Sequence, residues 1–188
     1  MTGLRWWPMA VAAALPAVVG LPAHATQYAT VDEAARRSFP EATAFKEAVL
    51  QLTPDEMRAL AAAAGVPARS VQWRVLTALH GDKALGHIVT DAVIGKFELI
   101  DYAVAIGADG KVRNVEILSY RESHGYEIRL PAWRKQFVGK DKVVGMRVGE
   151  DIANISGATM SCEHVTDGVR RIVALVGMWR AGGKLPSP

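Results

Sequence analysis

The sequence has one cysteine, Cys162, among 188 residues. It therefore holds no intrachain disulfide, no Cys-x-x-Cys metal or redox pair and no Cys-x-x-Cys-His haem attachment. It also lacks the Gly-x-Gly-x-x-Gly nicotinamide fingerprint and the Gly-x-Ser-x-Gly elbow of α/β-hydrolases. His80, His87, His124 and His164 stand at no metal-ligand spacing. Charge of either sign is in short surplus: 22 basic against 19 acidic side chains give a net +3. Spread along the chain, that is no nucleic-acid footprint. The one loose basic stretch, Lys135, Lys140, Lys142 and Arg147, reads as a solvated loop or as a surface for an acidic partner. There is no internal repeat and no low-complexity linker.

What is present begins with a leader. Arg5 precedes an apolar run from Trp6 to Leu21, broken by Pro8 and Pro16, and Ala23-His24-Ala25 follows. Small residues at those two places are the mark of signal-peptidase cleavage. Residues 1–25 are thus expected to be a signal peptide, which places the protein in the periplasm or another extracytoplasmic space. The alternative is an uncleaved membrane anchor, for which the run is short and its prolines unfavourable. No twin arginine precedes the run, which favours the general secretion route. The rest is one domain's length, and with 50% hydrophobic residues in the sequence a packed core must stabilise it without a covalent staple.

Helix starts are legible. Thr30 and Glu33 form a capping box, in which each side chain accepts from the other residue's backbone N–H. Thr53, Pro54 and Glu56 repeat the device with proline at the first helical position. Val71 to Leu79, Ala84 to Ile94, Leu99 to Ile106 and Val112 to Ser119 read as strands bounded by turn residues. Gly95-Lys96 reads as a bend or bulge. A long polar region from Tyr120 to Gly149 carries one short helical piece near Pro131 to Phe137. A helix from about Met160 to Trp179 should bury Val165, Val169, Ile172, Val173 and Val176 and leave Arg170, Arg171 and Arg180 outside. The fold class is α+β, an antiparallel sheet with packed helices. The expected divisions are 26–82 for N-terminal helices and first strand, 83–180 for the core, and 181–188 for a flexible tail.

The chemically informative segment is Asp151-Ile152-Ala153-Asn154-Ile155-Ser156-Gly157-Ala158-Thr159-Met160-Ser161. Gly157 permits close backbone approach, Ser156, Thr159 and Ser161 offer hydroxyls, and a helix start favours a phosphate. The simpler reading makes Ser156 or Thr159 an N-cap. Ser156-Gly157-Ala158-Thr159 resembles the flavinylation motif of the FMN-binding domain family, which includes the flavin subunits of the sodium-pumping NADH:quinone oxidoreductase and the Rnf complex. The resemblance runs from about Lys83 to Val176. It takes in Gly86, Gly95-Lys96, the hairpin Asp109-Gly110-Lys111-Val112, the loop Tyr120 to Ile128, and Gln136 to Lys140. It implies an FMN joined covalently through its phosphate to the Thr159 hydroxyl by a flavin transferase, with FAD as donor. The resemblance also gives Glu122, Gly125 and Ile128 as a flavin-facing turn, with Gly125 close to the ring and Glu122 or His124 bonding it. Met160 and Tyr126 are further candidate neighbours of the ring. One position departs from the family pattern: the aspartate usual six residues before the threonine is here Ala153, with Asp151 and Asn154 on either side.

The resemblance implies an electron-transfer flavoprotein or reductase subunit that relays electrons between a membrane-associated reductase and another redox protein, more than a stand-alone enzyme. Two other classes stay open. One is a noncatalytic α+β binding or inhibitory domain without cofactor. The other is a secreted serine hydrolase using Ser156 or Ser161 with His124 or His164 as base.

Overall fold

The computed structural model describes residues 26–185; the expected leader lies outside them. Six strands form one antiparallel sheet in the order β1-β6-β5-β4-β3-β2. They are β1 (Thr26–Gln27), β2 (Ala44–Gln51), β3 (Gln72–His80), β4 (Lys83–Ile94), β5 (Leu99–Gly107) and β6 (Val112–Tyr120). The helices are α1 (Val31–Ser38), α2 (Pro54–Ala64), α3 (Pro131–Arg134) and α4 (Thr159–Ala181). Among the described residues no helix is long and apolar enough to cross a membrane.

Local chemistry places the helix starts. Thr30 and Thr53 each accept from the N–H three residues on, and Glu33 and Glu56 complete both boxes. Gly65, in the left-handed region, ends α2. The central strands alternate because successive side chains point to opposite faces. Val75, Val89, Val93, Ile100, Tyr102, Val104, Val115 and Ile117 belong to the core shared with α2 and α4. Leu76, Ala78, Ile88, Ala103, Ala105 and Leu118 belong to a second, smaller core with Ala34, Ala35 and Phe39 of the α1 segment. The sheet is therefore covered on both faces, and α4 lies across β4 and β5.

Three expectations change. Residues 44–51 form the edge strand β2, in full register with β3. Six of its eight residues are exposed, so it carries no alternation from which a strand could be read. Arg171 does not stay outside: it is 1% exposed. Its guanidinium donates to Asp91 Oδ2 at 2.8 Å and to the Pro67 carbonyl at 2.8 Å, and the Tyr102 hydroxyl donates to the same carboxylate at 2.7 Å. Burial, with the Asp91 charge, pushes the Tyr102 hydroxyl well above its usual range. Finally, the described part of the tail is tied down. Leu185 is buried and Lys184 pairs with Glu56 at 2.6 Å.

Candidate functional site

The long region after β6 is held from beneath. Ile128, Trp133, Phe137, Met146 and Ile152 are buried in the larger core. Trp133 and Phe137 meet edge to face at 5.2 Å. The region then grips the segment before α4. Trp133 Nε1 donates to the Ala153 carbonyl at 2.8 Å, and the Ala153 N–H donates to Gln136 Oε1 at 2.8 Å. The polar stretch is thus an anchored platform that sets the path of residues 153–158 into the helix.

At the helix start the side chains stay free of capping duty. Ala158 is the N-cap of α4 and no side chain caps it. The reading of Ser156 or Thr159 as a plain cap therefore fails. The first N–H groups of a helix lack intrahelical partners, and here no side chain takes them. They carry the positive end of the dipole of a 23-residue helix. Thr159 is exposed, and its hydroxyl oxygen accepts from Asn154 Nδ2 at 3.1 Å.

The β4–β5 turn and the loop after β6 close a cavity of about 420 Å³ over this helix start. Lys96 and Phe97 line it from the turn, Glu122, Ser123 and His124 from the loop, and Gly157 to Ser161 from the motif. Gly95-Lys96 proves to be the hairpin turn itself, closed by Gly95 N–H to Glu98 O at 2.8 Å. Glu122 staples the two walls. Its Oε1 accepts from the Phe97 N–H at 2.5 Å and the Glu98 N–H at 3.0 Å. Burial draws this carboxyl up, but the N–H groups of Glu98, Phe97 and Lys96, with the Lys96 charge, outweigh it and hold the carboxyl below its ordinary range. A Cβ at position 95 would stand 2.6 Å from Glu122 Oε1, so a larger residue there would displace the carboxylate from its seat on the turn. Phe97 is 75% exposed and Met160 43%, so large apolar groups border a polar floor.

The structure thus gathers Glu122, Gly157, Ala158, Thr159 and Ser161 around one space. Gly125 lies against Ala158. Ser156 is exposed just before the motif's glycine and is not among the lining residues. Tyr126 is also exposed and outside the lining, with its ring under Arg129. Ser161 is 3% exposed, with its hydroxyl 3.3 Å from that of Tyr120. The histidines turn elsewhere: His124 Nδ1 to Ser123 Oγ at 2.9 Å and His164 Nδ1 to the Ile94 carbonyl. Neither histidine is thereby directed at Ser156 or Ser161, the two serines expected as nucleophiles. Cys162 is fully buried, and that burial pushes its thiol up, the reverse of the exposed, electropositive setting of a reactive cysteine. Lys96 and Phe97 are the site residues that motif reading passed over. Their signal was a bulky apolar residue set in a turn.

The cavity falls in the size range of small-molecule sites, roughly 300–1,000 Å³. It combines an uncapped helix start, a lysine and an exposed hydroxyl, which suit a phosphate, with apolar walls that suit a planar ring. The comparisons agree. Residues 95–174 match the FMN-binding domain family. In fold, the chain is similar to the crystal structure of Shewanella oneidensis NqrC, with a TM-score of 0.51 and 16% identity over 78% of this chain and 88% of that chain. No curated protein sequence matches. The stretch that matches the FMN-binding domain family runs from Gly95 in the β4–β5 turn, through the platform, to Ala174 in α4, and it holds every residue that lines the cavity.

Proposed function

We propose that this protein is an exported electron-transfer flavoprotein that carries FMN covalently on Thr159 through a phosphoester bond. The observation that supports this reading most directly is the Thr159 hydroxyl. It is exposed, free of capping duty and set at the mouth of a cavity of flavin-compatible size. Bound there, FMN supplies one- and two-electron transfer. The chain's own part is to hold and orient it. The N–H groups of the α4 start and Lys96 would stabilise the phosphate end. Phe97 and Met160 would flank the apolar ring, and Glu122 would hold the two walls at a fixed distance. A flavin transferase would form the bond, with FAD as donor. A covalent tether would retain the cofactor outside the cytoplasm, where lost FMN is not easily replaced. The partners would be a membrane-associated reductase and a second redox protein.

The test is expression of the full chain with its own leader alongside a flavin transferase. In-gel fluorescence after denaturation should show a flavin band for the wild type and none for Thr159→Ala. A band of full strength in Thr159→Ala would overturn the attachment site. A colourless wild type would favour the binding domain without cofactor.

A further inference from the structure

We infer that Asn154 is the positioning residue for the Thr159 hydroxyl during flavin attachment. The inference rests on the proposed attachment at Thr159. Two acidic or amide neighbours could serve that hydroxyl, and the structure separates them. Asp151 is committed elsewhere. Its Oδ2 accepts from the Arg147 N–H at 3.2 Å, within a turn also closed by Asp151 N–H to Arg147 O at 2.9 Å. Position 153 is an alanine whose backbone is pinned at both ends by Trp133 and Gln136. That pinning delivers the next residue, Asn154, to the helix start, where its Nδ2 donates to Thr159 Oγ1 at 3.1 Å.

The chemistry favours an amide donor here. In the transfer, Thr159 Oγ forms a bond to the flavin-side phosphorus of FAD. The pyrophosphate P–O bond breaks, AMP leaves with the electron pair, and the hydroxyl proton passes to a base of the transferase. A donor on Oγ occupies one lone pair, fixes the rotamer and leaves the O–H and the other lone pair to the incoming reagents. The same N–H can still bond the ester oxygen afterwards. An ionised carboxylate at this position could only accept, and it would repel the approaching phosphate. An uncharged residue beside Thr159 suits both the substrate and the product.

The test follows attachment by intact mass over time, with purified full-length protein, purified flavin transferase and FAD. Asn154→Ala should slow the initial rate about fivefold, the factor for one lost hydrogen bond of typical strength. Its thermal unfolding before modification should match the wild type. Asn154→Asp should be at least as slow at neutral pH, and its rate relative to the wild type at the same pH should rise as pH falls toward the carboxyl pKa. Wild-type rates in Asn154→Ala, with Thr159→Ala unmodified, would overturn the role of Asn154 and leave the attachment site standing. Asn154→Asp as fast as wild type at neutral pH would overturn the donor mechanism. Failure of the wild type itself to gain mass would overturn the attachment at Thr159, and this inference with it.

Discussion

A Cβ on Gly125 would lie 2.1 Å from the Cβ of Ala158 and 2.8 Å from the Tyr120 hydroxyl. The loop after β6 therefore touches the motif directly, one residue before Thr159. Gly125 also has φ of +83°, a left-handed conformation that a β-branched residue adopts only with strain. The loop and the attachment point belong to separate segments of the chain. The contact couples them.

Gly125→Val should accordingly lower stability by about 2–4 kcal/mol, the combined scale of overpacking and backbone strain. It should also lower the flavinylated fraction, because Ala158 and Thr159 must shift to admit the side chain. Urea unfolding and intact mass of the same preparation check both. Unchanged flavinylation would show that the loop yields and the motif does not.

Glu122→Gln tests the staple and the field at the cavity separately. The amide oxygen can still accept a backbone N–H, so the hairpin should hold. Removing a negative charge stabilises a reduced, electron-rich cofactor. A repulsion of ~1 kcal/mol at contact distance in water corresponds to about 20 mV upward for a two-electron couple. Redox titration of the flavinylated variant reads the shift, and a fall in potential would remove Glu122 from the cavity's electrostatics.

The same carboxylate sets a pH dependence. Its folded pKa lies below the ordinary value, so its contribution to stability is fully present above the unfolded carboxyl pKa of about 4.3. It is lost as pH falls through the folded value. The stability gap between wild type and Glu122→Gln, measured by urea unfolding, should be open at neutral pH and should close in acid. A gap that widens in acid would contradict the sign.

Asp91→Ala should be strongly destabilising. It leaves the Arg171 guanidinium buried without its carboxylate, and breaking such a pair costs roughly 3–5 kcal/mol. Arg171→Met, which removes the charge and keeps most of the bulk, should cost less than Asp91→Ala, because the carboxylate it leaves unpaired is less buried than the guanidinium and regains water. Thermal unfolding of the two variants gives the order, and an Asp91→Ala protein as stable as wild type would show the pair to be dispensable.

Export can be read at the terminus. If the leader is cleaved after Ala25, N-terminal sequencing of protein recovered outside the cytoplasm should begin at Thr26. An intact chain in the membrane fraction would establish the anchor instead.

The sequence by itself determined the features whose causes are local. Thr30 with Glu33 and Thr53 with Glu56 announce their helices because a capping box needs only residues three apart, and both boxes form. The four central strands announce themselves because one-in-two burial on a pleated sheet demands alternation or apolar runs. Ser156 to Thr159 stand out as a small-residue entry to a helix, and the helix begins at Thr159. Tertiary structure decided what depends on distant partners. Strand β2 is an exposed edge, so its pairing with β3 supplies what its side chains do not show. Arg171 faces inward because Asp91, 80 residues away, waits there with a charge. Glu122 became a staple because hairpin N–H groups 24 and 25 residues distant lie within its reach. Asn154, not Asp151, reached Thr159 because Trp133 and Gln136 fasten the backbone between them. Period and capping are written in neighbouring residues, whereas the partner of a buried or bridging polar group is set only when the sheet and helix have closed around it.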